Sequence, residues 1–163
     1  MAAQTTPVID SHAAFGAALR WGFEQAIARG ARRIVCVDPD FTDWPLGDAT
    51  LLARLVPWLR QPQRRLVLLA ARFDELPRHH PRFVGWRRDW VHAVSAWQAP
   101  DELQRALPTL LLVDDALAVH VIDRSRWRGR TLHDARECRP YHDEIDAVLQ
   151  RSAPGLPVTE LGL

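Results

Sequence analysis

Arg78, His79, His80, Arg82, Arg87 and Arg88 crowd guanidinium and imidazole groups into one short stretch, which is the residue chemistry of an anion site. A guanidinium presents paired N–H donors that match two phosphate or carboxylate oxygens, and neighbouring imidazoles share charge or shuttle protons near neutral pH. Trp86 and Trp90 lie among them and offer faces on which nucleic-acid bases could stack. The same tryptophans stand three and seven residues after Phe83, a helical spacing that serves core packing equally well. A second basic series, Arg124, Arg126, Arg128 and Arg130, recurs at every second position through SRWRGR. In an extended segment these four groups would share a face; in a loop they would not. A third candidate is acidic: Asp38, Asp40 and Asp43, with Trp44, fall in and just before the turn-rich stretch PDFTDWPLGD at 39–48.

Other chemistries lack their motifs. Ser95 and Ser125 have no GxSxG elbow, and nothing near Cys36 supplies a histidine partner. No glycine-rich phosphate loop follows either early strand, which removes the dinucleotide-binding and P-loop assignments. His92, His120, Asp123 and His133 are of metal-ligating type, but no HExxH or paired-cysteine pattern organises them. No resident metal or cofactor is therefore expected.

The elements that must position these groups follow from periodicity. Asp10 or Ser11 can cap a helix through about Arg29, with Phe15, Leu19, Phe23 and Ile27 as its apolar stripe and Gly30 as its stop. Arg33–Asp38 and Arg65–Ala70 read as buried strands, and between them Asp48 or Thr50 starts a helix carrying Leu51, Leu52, Leu55, Val56 and Leu59. Pro57 inside that pattern predicts a kink or a second short segment. The strand–helix–strand order predicts parallel strands with the 39–48 loop at their carboxyl edge, where open α/β sheets place ligands; an acid-capped structural loop would have the same composition.

Beyond Trp90, VHAVSAW favours a third strand, and Asp101–Ala106 a brief helix. Residues 109–123, TLLLVDDALAVHVID, form the most apolar run and predict two central strands joined at Asp114-Asp115. A last helix is expected over 140–151, with Tyr141, Ile145, Val148 and Leu149 facing inward.

The 163-residue length suits one domain, placed at 10–152, with 1–9 and 153–163 as flexible or surface-lying ends. The net charge of +1 implies no polyanion partner by itself. All 21 basic residues are arginine, which reflects base composition or selection for bidentate phosphate contacts. Two isolated cysteines and the absence of a leader-like or membrane-spanning pattern predict a cytoplasmic protein.

The order of these elements, from RRIVCVD and LLARLVPWLR through RLVLLA and VHAVSAW to LLLVDDALAVHVID and HDEIDAVLQRS, resembles a half-domain of the phospholipase D-like superfamily over about 12–152. The resemblance implies a mixed β-sheet flanked by helices, and in active members a phosphodiesterase site built where two half-domains meet. That site uses a His-x-Lys motif followed by an Asp. Here the approach QRALPTLLLVDD has neither His nor Lys, and only Asp114 or Asp115 stands near the family's acidic position. The resemblance thus implies a non-catalytic binding or scaffold half-domain, with a homodimer as its expected assembly. The competing reading is a phosphate-ester hydrolase or a nucleic-acid- or anion-binding protein that uses the Arg/His clusters on a phosphate-containing ligand.

Overall fold

Ser11 accepts from the amide of Ala14 and starts helix α1 (His12–Ala28), whose Phe15, Leu19 and Phe23 are buried as the four-residue stripe requires. The computed structural model describes residues 6–158. Expectations for 1–5 and 159–163 therefore lie outside the described residues. Gly30 turns the chain in the left-handed region, φ 61°, and delivers it to strand β1 (Arg33–Asp38). So short a turn makes α1 run back along β1, and the helix N-terminus comes to the strand's carboxyl end.

Asp48 caps α2 (Ala49–Leu59) by accepting from Thr50 and Leu51, and Arg20 of α1 donates to its second oxygen at 2.9 Å. Pro57 does not break this helix, contrary to the expected kink or second segment. It sits in the last turn, where the helix ends two residues later and the missing N–H removes a single bond. Strand β2 (Arg65–Ala70) pairs parallel with β1 in full register, as the strand–helix–strand order requires. Two short helices, α3 (Leu76–His79) and α4 (Pro81–Arg87), then lead to β3 (Val94–Gln98), parallel to β2.

The most apolar run forms β4 (Thr109–Val113) and β5 (Leu117–Asp123), an antiparallel pair laid against the free side of β1. Their turn works because Asp114 adopts φ 47° while its carboxylate accepts from the amides of Arg32 and Arg33. The basic series divides: Arg124 and Arg126 lie in a turn, whereas Arg128 and Arg130 alternate along β6 (Arg128–Leu132). Helix α5 (Ala135–Gln150) begins earlier than the expected 140–151, because Asp134 caps it and Cys138 is buried beneath its first turns; Pro140 is carried inside.

The result, among the described residues, is a mixed seven-stranded sheet in the order β6-β5-β4-β1-β2-β3-β7, with β7 formed by Ala153–Pro154, flanked by helices on both faces. Strand alternation sorts the core. Ile34, Cys36, Leu66, Leu68, Leu111 and Val119 face α1, α2 and α4, and Val35, Val37, Leu69, Leu110 and Leu112 face α5. Ile9 is buried and bridges Gly129 of β6, and β7 lies on the outer side of β3. Among the described residues no helix is long and apolar enough to cross a membrane.

Replacing Asp48 with Ala removes the α2 cap and the Arg20 partner together. It should lower unfolding free energy by about 1 kcal/mol, measured by urea denaturation, with the fold unchanged by circular dichroism.

A candidate site at the carboxyl edge of the sheet

Asp38 ends β1 with its carboxylate inside the protein, 1% exposed. A buried carboxylate needs donors, and it has them. Its Oδ2 accepts the backbone N–H groups of Asp40 and Phe41 at 3.1 and 2.8 Å, and its Oδ1 accepts the Thr109 hydroxyl at 2.6 Å. The Arg124 guanidinium lies 3.8 Å from the same Oδ1 and 3.9 Å from Asp43. His12, at the start of α1, donates to the other Asp43 oxygen at 3.0 Å. The carboxyl ends of β1 and β5 and the amino ends of β4 and α1 thereby meet at one point.

The 39–48 loop is held hard. Asp40 accepts from the amide of Thr42, and Arg72 approaches its other oxygen at 3.4 Å. Burial pushes the Asp40 pKa up, but its hydrogen bonds from Thr42 and the charges of Arg72 and Arg124 more than offset this and hold it below the ordinary carboxylate value. Phe41 is buried at φ 63°, a strained conformation for a bulky residue, and its carbonyl accepts from His80 Nε2 at 2.8 Å. Arg82 donates to the Gly47 carbonyl at 2.7 Å. Trp44 is buried, edge-on to Phe41 and Phe15, and belongs to the core.

The first basic cluster does not converge on an anion cradle. His80 and Arg82 clamp the loop from behind, while Arg78 and His79 stand beside Glu75. Arg87 is 9% exposed, and its donors go to the carbonyls of Val94 and Leu156. Arg88 is exposed on the 3-10 turn that follows α4. Desolvation pushes the His80 pKa down, the nearby His79 charge adds to this, and the bond to Phe41 opposes it.

The hairpin joining β5 to β6 differs. Asp123 Oδ1 accepts from the amide and hydroxyl of Ser125 and the amide of Arg126, which shapes the turn. Trp127, at φ 51°, turns its ring inward to stack on Phe15 at 4.9 Å and meets His12 edge-on. Arg126 is left 80% exposed, with Asp123 at 3.9 Å, and Arg128 and Arg130 project from the following strand. Arg124 points the other way, into the carboxylates.

No protein-family profile matches the chain, and no curated protein matches it in sequence. Among solved structures the fold is similar to TrmBL2, described as an archaeal chromatin protein whose structure shows a novel mode of DNA binding. The TM-score is 0.58 at 12% identity, over 89% of this chain and 52% of that one. This chain therefore spans about half the length of that protein, and the likeness is one of fold.

Sequence pattern alone does not single out His12, Thr109 or Arg72. His12 has a legible signal, since a helix joined to a strand by a short turn brings its N-terminus to the strand's carboxyl end. Thr109 has none until β4 is placed beside β1. Among the described residues no group of three or more His, Cys, Asp or Glu side chains is arranged to hold a metal ion.

Asp38→Asn places an N–H₂ among groups that all donate, and should destabilise the protein by about 3 kcal/mol in chemical denaturation. Thr109→Val, which removes one donor, should cost less, about 1 kcal/mol. The depressed pKa of His80 also fixes a sign. Below its ordinary value of 6.5 the unfolded chain takes up the proton first, so stability is complete above that pH and declines as pH falls through it. Desolvation depresses His120 as well, so it acts in the same direction. His80→Gln keeps a donor for Phe41 and should make the decline between about pH 7 and pH 5 shallower.

Proposed function

We propose that this chain is a nucleic-acid-binding domain that contacts the phosphate backbone through the arginines of the β5–β6 hairpin. The observation that carries the reading is a stiff, cation-bearing turn: Asp123 and the inward-stacked Trp127 hold a tip from which Arg126 projects, with Arg128 and Arg130 behind it. A turn whose backbone is already fixed loses little conformational freedom on binding, and exposed guanidinium groups match phosphate oxygens two at a time. The structural likeness to a chromatin protein described as binding DNA supports the same reading.

The phospholipase D-like resemblance fits beside it as a proposal about ancestry. With no lysine in the chain and no His-x-Lys approach to β4, such a half-domain binds phosphates rather than hydrolysing their esters. The acidic loop favours this division too, because Asp38, Asp40 and Asp43 already engage Arg124 and Arg72 and would repel an incoming phosphate.

Fluorescence anisotropy with a labelled duplex tests the proposal. The Arg126→Ala/Arg128→Ala/Arg130→Ala protein should bind about tenfold more weakly or worse, and the slope of log affinity against log salt should fall by about one for each arginine that no longer meets a phosphate. Thermal melting should be unchanged, since these side chains are exposed. Unaltered affinity in the triple variant, or no duplex binding by the parent protein at low salt, would rule the hairpin out.

A further inference from the structure

A separate cleft of about 680 Å³ opens at the carboxyl ends of β2 and β3, away from the hairpin. Phe73, Pro77, Val84 and Leu156 supply apolar wall, and Arg72, Asp74 and Gln98 supply polar groups. One wall is a built strap rather than a loose tail. Gly155 donates to the Ala96 carbonyl and lies so close to Phe73 that an added Cβ would stand 2.7 Å from the ring. Leu156 is held at φ 47°, strained for a leucine, and its carbonyl is gripped by the buried Arg87. Strain held in place by a buried guanidinium at the margin of a cleft is the pattern of a preformed ligand clamp.

The charges at this cleft narrow what it would take. Arg72 is 3.4 Å from Asp40 and its Nε is 3.9 Å from Asp74, contacts too long to satisfy its donors fully. A cation and an anion thus stand side by side above an apolar wall. A phosphate dianion at Arg72 would stand beside the Asp74 carboxylate with nothing to offset it, and a plain amine at Asp74 would stand beside the guanidinium. A zwitterion meets neither conflict: its carboxylate pairs with Arg72, its ammonium with Asp74, and its side chain enters the apolar part. We propose that the cleft binds a free α-amino acid with an apolar side chain. The site is independent of the nucleic-acid reading.

Isothermal titration calorimetry on the full chain tests this with L-phenylalanine, hydrocinnamate, which lacks the amine, and phenethylamine, which lacks the carboxylate. L-phenylalanine should bind, and either analogue should bind about tenfold more weakly or worse. Arg72→Gln should weaken L-phenylalanine by a similar factor without weakening phenethylamine, whereas Asp74→Asn should weaken L-phenylalanine and phenethylamine without weakening hydrocinnamate. Both positions are exposed, so folding is not at stake. Absence of heat with L-phenylalanine at millimolar concentration would overturn the proposal, as would equal binding of all three compounds or indifference to Arg72. The hairpin triple variant should bind L-phenylalanine as the parent does, which separates failure here from failure of the nucleic-acid reading.

Discussion

The Asp38 carboxylate is the contact around which the carboxyl edge is assembled. A charge taken out of water is tolerable only if its lone pairs are met. Meeting them brings the first turn of the 39–48 loop, the start of β4 and the hairpin arginine to a common point. The strained Phe41 sits in the same turn, where its amide and that of Asp40 both reach the Asp38 carboxylate. His80 and the ring contacts of Phe41 with Trp44 and Phe73 hold it there. An acidic loop that looks like a site in composition is thus largely a structural device, and its chemistry lies in fixing other groups.

The arginines divide by what surrounds them. Arg87 is buried among carbonyls and closes the terminal strap, Arg82 holds Gly47, and Arg124 balances the acids. A planar guanidinium with several donors suits such work better than an ammonium would. Arg126, Arg128 and Arg130 are left outside on an edge hairpin, where their charge faces solvent. Charged side chains on an edge strand also discourage pairing with another sheet.

Much of the fold was legible in residue order. The four-residue stripe of α1, the stop at Gly30, the Asp48 cap and the apolar runs of β1, β2, β4 and β5 report local preferences and burial that act over a few positions. Where reading was less good, a nonlocal term had intervened. Pro57 is harmless because of where α2 ends, and α5 starts early because Cys138 is buried and Asp134 caps the helix. β7 consists of two residues whose strand character exists only through pairing with β3.

For the candidate site the division is sharper. Residue types alone announced acids after β1 and arginines after β5, and the parallel β1–β2 unit placed the former at a sheet edge. Whether each guanidinium would face solvent, a carbonyl or a carboxylate depended on contacts between residues as distant as Asp38 and Thr109, or Arg87 and Leu156. Charge is a property of the side chain and travels with the sequence. Its availability is a property of solvent and partners, and those are assigned only when the sheet order brings β4 beside β1, with β5 next to it, and the strap over β3.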